Sequence, residues 1–345
     1  MATAVRFVFM GISLFFILYG ALFSPTAEAA VGTVFVKPAL VFGRAGTGPG
    51  EFSIIDGVWV DRKGRILVTD KGNNRVYFFD QEGRYLGHFG GPGSGPGQFR
   101  QCTGIVVDRK DRIIVSDQGN FRIQVFDGEG RFLTGFGRYG TGDGEFLEPM
   151  GLALDAQGFL YVTDGTRDDV QVFDEDFRFV KKIGSAVSQG PPLSRIESIA
   201  VAPNGTVYLA DEGNSRIQCF DAQGNWKSVI GGSGNGPGRF AKEVEGLALD
   251  EEGYLYALDE DGGKIEIFDS EGRWVRSVGG GVGSDPGQFK SPDGLHYSPL
   301  LKSLLVADQK NRRVQVFRKT DLWKEPAPSL PSSQAGLALP GEKAP

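Results

Sequence analysis

The sequence is poor in the residues that most often do chemistry. Among 345 residues there are two cysteines, Cys102 and Cys219, and two histidines, His88 and His296. Two cysteines make neither a zinc ribbon nor a disulfide framework; both read as small buried hydrophobes in separate parts of the chain. Two histidines leave little for histidine-based catalysis. Positive charge is also short. The 37 Lys and Arg against 43 Asp and Glu give a formal net charge of −6, which argues against nonspecific binding to nucleic acid or acidic membranes. One long apolar run stands apart: "FVFMGISLFFILYGALF", Phe7 to Phe23, preceded by a lone Arg6 and followed by "AEA", Ala27 to Ala29. A basic start, an apolar centre and a small-x-small site describe a secretory signal peptide. At 17 residues the run is slightly short of the roughly 20 that span a bilayer, and an uncleaved N-terminal anchor is the alternative. Either way the remainder is expected to be extracytoplasmic: periplasmic, secreted or membrane-anchored.

Glycine and phenylalanine are abundant, at 52 and 26 residues. They recur in a fixed phrase. "VTDKGNNRVYFFD" returns as "VSDQGNFRIQVFD", "VTDGTRDDVQVFD", "LADEGNSRIQCFD", "ALDEDGGKIEIFD" and "VADQKNRRVQVFR". The aspartates Asp70, Asp117, Asp164, Asp211, Asp259 and Asp308 lie 47, 47, 47, 48 and 49 residues apart. Such a period indicates a repeat architecture. Each unit holds short β-branched and aromatic runs between Gly, Asn and Asp turns. In the second unit these are "TGIVVD", "RIIVSD", "RIQVFD" and "RFLTGFG". Four strands in each of six units predict an all-β, six-bladed β-propeller. The sixth unit lacks the last "FG" strand, and a spare "ALVFG", Ala39 to Gly43, stands at the front. It is expected to complete the last blade and close the ring, leaving no loose edge there. The expected organisation is residues 1–30 as signal or anchor, 31–320 as a monomeric six-bladed propeller, and 321–345 as a disordered Pro-rich tail.

These phrases resemble the NHL-repeat family, whose unit reads roughly "GIAVD–G–IYVAD–GN–RIQVFD–G–FG". "GLALDAQGFLYVTDGTRDDVQVFD" and "SIAVAPNGTVYLADEGNSRIQCFD" carry the resemblance, which covers about residues 40–318. It implies a propeller and a binding platform, and names no ligand.

The repeated Asp and the basic residue five places on (Arg75, Arg122, Arg216, Lys264, Arg313) are read as structural, because a turn is needed in every blade and a catalytic residue once. Blade three departs with Asp169. The repeated Phe79, Phe126, Phe173, Phe220, Phe268 and Phe317 read as core. The Gly-rich loops such as "GGPGSGPGQF" read as blade connections, since they lack the Lys-Ser/Thr and strand-to-helix setting of a phosphate cradle.

Candidate ligand-binding residues are those where the units differ. In a propeller the residue before each inner strand faces the mouth of the channel. Aligned on "GIVVD", these are Asp56, Thr103, Met150, Glu197, Glu245 and Asp293, four of the six being acidic. Two like charges about 4 Å apart repel by about 4 kcal/mol at an effective dielectric near 20. The acids must therefore stay hydrated and apart, hold protons, or bind a cation. No cofactor is required by the sequence; Ca²⁺ or another divalent cation held by Asp56, Glu197, Glu245 and Asp293 is the alternative. That alternative rests on a second resemblance, to gluconolactonase-like propellers, which hold a divalent metal at the channel mouth. "DGVWVD" and "SPDGL" match their acid-Gly and "PDG" signatures at Asp56 and Asp293, while no Asn stands in the equivalent place. The expected function is therefore a non-catalytic platform for a protein, peptide or glycan on the loop-bearing face, with a lactonase-like hydrolase as alternative. Nucleic acid is not expected as a partner. Blades three and four, with Asp169, Glu197 and the loop "GSAVSQGPPLSRIES", are the expected places of specialisation.

Overall fold

The computed structural model describes residues 33–184 and 190–324. Each expected blade has four antiparallel strands, consecutive in sequence and in space in the first five blades. In blade two the strands run Cys102–Val107, Ile113–Asp117, Arg122–Phe126 and Phe132–Phe136, within one residue of the sequence reading. The innermost strands of the six blades, Ile55–Val60, Cys102–Val107, Pro149–Leu154, Ile196–Val201, Val244–Leu249 and Pro292–Ser298, adjoin one another around a closed ring.

The ring closes as the spare segment suggested. Leu40–Phe42 pairs antiparallel with Arg313–Arg318, matching Leu40 with Val316, Val41 with Gln315 and Phe42 with Val314. One strand was not anticipated. Thr33–Val34 adds in parallel to the outer edge of blade five, against Ser277 and Val278. At the other end, Leu322 is fully buried and Trp323 packs on Tyr254 with ring centroids 4.6 Å apart. Packed structure thus runs beyond residue 320. Trp323→Ala is expected to cost about 1 kcal/mol, the scale of one aromatic pair, measured by chemical denaturation.

The core lies between blades. Phe79, Phe126, Phe173, Phe220, Phe268 and Phe317 are all buried, as are the loop residues Phe52, Phe99, Phe146, Leu193, Phe240 and Phe289. The Gly-rich loops share one conformation, each pinned by a parallel bridge such as Pro92 with Phe99 and Tyr139 with Phe146. Cys102 and Cys219 are free and buried.

The repeated aspartates are entirely buried and tie each blade to the loop that enters it. Asp117 accepts from the Arg100 amide at 2.8 Å, and Asp308 accepts from the Lys290 amide at 2.8 Å. Arg122, Arg216 and Arg313 each place Nε 2.7–2.8 Å from their blade's Asp. In blade one Arg75 instead reaches the Thr47 carbonyl, and Asn73 Nδ2 donates to Asp70 at 2.9 Å.

Blade three corrects an expectation. Asp169 was a candidate for ligand specialisation, but it is buried and held by Arg167 at 2.8 Å. Arg167 also donates to the Gly142 and Glu145 carbonyls. Arg122 makes the equivalent bonds in blade two, to Gly95 and Gln98. The departure at Asp169 is therefore balanced inside the blade by a guanidinium entering from the preceding turn.

Candidate functional site

The sequence-aligned mouth residues occupy an irregularity common to all blades. The inner-strand ladder skips two residues in every case: between Ile55 and Val58, Cys102 and Ile105, Pro149 and Leu152, Ile196 and Ile199, Val244 and Leu247, and Pro292 and Leu295. A bulge re-aims the side chain it frees from the ladder. The residues released are Asp56, Thr103, Met150, Glu197, Glu245 and Asp293, each followed by Gly except in blade four. There the next residue is Ser198. The glycines are required by close approach: a Cβ at Gly294 would lie 2.1 Å from the Asp56 carbonyl oxygen, and one at Gly104 2.3 Å from that of Met150. In blade four the Ser198 hydroxyl is used instead, accepting from the Leu247 amide of blade five at 3.0 Å.

The channel cavity, about 210 Å³, is lined by Asp56, Met150, Glu197, Glu245 and Asp293 among others. Thr103 does not line it; its side chain is buried, and its carbonyl accepts from Thr69 Oγ1 at 2.6 Å. The alignment thus brings five of its six residues to one cavity. The acids among them do not stand alone. A second set follows the repeated Asp directly: Lys71, Gln118, Gly165, Glu212, Glu260 and Gln309. A third lies two residues before the bulge: Ile54, Gln101, Glu148, Arg195, Glu243 and Ser291. Sequence reading missed these two sets as mouth residues, although the position after each Asp was visible in the repeated phrase.

Their contacts divide the mouth in two. On the side of blades six and one, Lys71 Nζ lies 2.8 Å from Asp56 and 3.6 Å from Asp293. Gln309 Nε2 donates to Asp293 at 2.6 Å. The Asp56 and Asp293 charges raise the Lys71 pKa against the opposing effect of burial. On the side of blades four and five the carboxylates outnumber the cations. Arg195 reaches Glu197 at 3.2 Å and Glu212 at 3.1 Å, and Lys242 bonds Glu243 at the rim. Among the described residues, Glu245 and Glu260 form no ion pair. Burial, with the Glu197 charge beside it, pushes Glu212 up to about 8. Burial and the same neighbour hold Glu245 well above the usual carboxylate range. Burial and Asp56 do the same to Asp293. One carboxylate oxygen from each of Glu197, Glu245 and Asp293 lies within 4.8 Å of the others, and so does one from each of Glu212, Glu243 and Glu245.

The histidines differ in place: His296 lines the channel cavity and His88 does not. His296 is buried against Trp59, ring centroids 4.1 Å apart, and burial depresses it to about 3. His88 bonds the Tyr85 hydroxyl on an outer strand. In the blade-four entry loop, residues 185–189 fall outside the described residues.

Six sheets in a ring with one elaborated mouth define a six-bladed β-propeller. A family model described as a 6-bladed beta-propeller matches residues 62–115 and 188–279. The NHL-type repeat is matched in human NHL repeat-containing protein 3, which is 46% identical over 46 residues, 13% of this chain and 13% of its own length. Protein lin-41 of Caenorhabditis elegans is 45% identical over 49 residues, 14% of this chain and 4% of its own length. The chain thus spans 13% or less of these curated relatives. Among solved structures, a streptogramin B lyase superposes with a TM-score of 0.58 at 15% identity, covering 80% of this chain and 96% of that one. A putative gluconolactonase gives 0.59 at 14% identity, covering 82% and 93%. At these identities the likeness is one of fold.

Proposed function

We propose that this protein is an exported, non-catalytic binding propeller that holds a protein or peptide partner on its loop-bearing face. The observation that carries this reading is the division of the mouth. Met150 lines one side, carboxylates crowd the side of blades four and five, and both stand on bulges of rigid inner strands. Carboxylates are met by the basic side chains and amides of a polypeptide more readily than by a neutral glycan. His296 lines the channel but is packed against Trp59 and kept neutral by burial, and His88 stands on an outer strand, so this reading gives neither a catalytic role. The apolar run Phe7–Phe23 supports an extracytoplasmic location, with a cleaved signal or an N-terminal anchor. An array of basic, neutral and acidic peptides tests the reading. Met150→Arg, which fills the mouth, is expected to weaken the retained peptides at least tenfold. No retained peptide, or retention indifferent to Met150→Arg, would sink it.

A second reading, a lactonase-like hydrolase, is favoured by the spacing of Glu197, Glu245 and Asp293. Hard carboxylate oxygens suit Ca²⁺, and a bound cation would polarise a lactone carbonyl. Asp56 fits this set less well than the sequence suggested, because Lys71 already occupies its carboxylate. In this reading Ca²⁺ at a hundred times its Kd raises stability by about 2.7 kcal/mol, and chelation abolishes lactone hydrolysis. Melting and hydrolysis that both ignore calcium and chelator would remove it.

A further inference from the structure

We propose that the blade four–five side of the mouth is a subsite for one alkylammonium or guanidinium group, supplied by a basic side chain of the peptide partner. The inference rests on the binding-platform reading and names the chemistry that the platform selects.

Three observations converge. Glu212, Glu243 and Glu245 each offer a carboxylate oxygen within 4.8 Å of the others, at the edge of a cavity of about 190 Å³ that Glu197, Glu260 and Asp293 also line. Independently of that cluster, the oxygens of Glu212 are unequally served. The residue is 3% exposed; Oε1 meets Arg195, while Oε2 has no hydrogen-bond partner. A buried carboxyl oxygen without a partner is costly, and a cationic donor that takes the place of the proton Glu212 holds recovers that cost. The third observation is a precedent within the molecule. At the blade six–one end of the same cavity, which it also lines, Lys71 places its own ammonium between Asp56 and Asp293. The same inner-strand bulge and the same post-Asp position build both places. Blade one fills the post-Asp position with Lys71, and blade four puts Glu212 there. The chain's own cations do not complete the second place. Arg195 is 60% exposed at the rim and Lys242 68% exposed, and among the described residues neither pairs with Glu245.

An organic cation suits this side because its stem is apolar. Met150 lines the adjoining channel cavity, which shares Glu197, Glu245 and Asp293 with the carboxylate cavity, so an aliphatic chain can lie along it while its charged end reaches the carboxylates.

The test is calorimetric titration of the full-length protein with acetyl-Gly-Lys-Gly-amide, and with the same peptide carrying norleucine. The lysine peptide is expected to bind at least tenfold more tightly than the norleucine peptide, with affinity falling as salt rises. Glu212→Gln and Glu243→Gln, each checked for an unchanged circular dichroism spectrum in the absence of peptide, are each expected to remove most of that difference. Equal binding of the two peptides, or lysine binding indifferent to both variants, overturns the subsite. So does stoichiometric Ca²⁺ binding that the lysine peptide does not displace, since the site then belongs to a metal. The peptide array with Met150→Arg separates the two levels. Capture that depends on Met150 without lysine selectivity overturns the subsite and leaves the platform. Absence of any capture overturns both.

Discussion

Asp308→Ala is expected to lower the free energy of unfolding by about 3–5 kcal/mol, the scale of orphaning a buried charged partner. Asp308 is entirely buried. It accepts from the Lys290 amide at 2.8 Å, Asn311 Nδ2 at 2.9 Å, Gln315 Nε2 at 3.0 Å and Arg313 Nε at 2.7 Å. Alanine leaves the Arg313 guanidinium and three further donors without that acceptor, and Arg313 and Gln315 are buried. It also frees the loop at Lys290, three residues before Asp293, so the mouth is expected to loosen with the core. Asp80→Ala is the control. Asp80 belongs to a surface turn in which it accepts from the Glu82 and Arg84 amides and from Arg84 Nε. Its loss is expected to cost about 1 kcal/mol. Guanidinium denaturation of the two variants decides the matter: equal losses would show that the repeated aspartate is no more than a turn residue.

The second large effect is in pH. Glu212 has an ordinary value of 4.5 and is pushed up to about 8 in the fold; Glu245 and Asp293 shift the same way. Between about pH 4.5 and 8 these three groups hold more protons in the folded protein than in the unfolded chain; together they outweigh buried His296, which acts in the opposite sense below about 6.5, and stability falls as pH rises across that window. The contribution is fully present below 4.5 and gone above 8. Surface carboxylates such as Asp80 and Glu145, lowered mainly by hydrogen bonds to the backbone and to Arg partners against burial, act in the opposite sense. Their stabilisation is lost only at lower pH, as they take up protons in acid. The melting temperature is thus expected to fall from pH 5 to pH 8.5. Glu212→Gln should flatten part of that slope and stabilise the protein at pH 8.5 by on the order of 1–3 kcal/mol. A melting curve that rises across the window, or a variant with the parental slope, would contradict this account of the mouth.

The parts of this molecule differ in how openly the sequence declares them. The blades were legible because a 47-residue spacing of Asp needs no tertiary information. Closure was legible as a deficit, since five outer strands were complete and a sixth was displaced to Ala39–Gly43. The six bulge residues could be aligned because each repeats at one offset, yet the bulge itself could not be seen: a skipped pair leaves no pattern of its own. Lys71 was missed because the bulge that turns Asp56 toward it is invisible in the sequence and its second partner, Asp293, stands on another blade, 222 residues away. Arg167 was missed for a subtler reason. It replaces Arg122's function from a different position in the repeat, so an alignment by column reports a loss where the blade contains a substitution. Thr33–Val34, two residues long, carries no periodicity to read.

The strand Leu40–Phe42 also imposes an order in time. Synthesis delivers it before any blade exists, but its partner Arg313–Arg318 arrives only when nearly the whole propeller has been made. Pairing Leu40 with Val316 closes the longest loop set by strand pairing among the described residues. The entropy of that closure grows only slowly with length, by about 0.6 kcal/mol for each doubling, so the delay costs time more than stability. Until then blade six exposes an unpaired edge, the kind of surface that recruits a strand from a neighbouring chain. Moving the termini to a loop between two complete blades would make every sheet local to one stretch of sequence. Such a permutant should fold faster and aggregate less while keeping the same mouth, which makes the seam at Ala39–Gly43 a feature of biogenesis as much as of architecture.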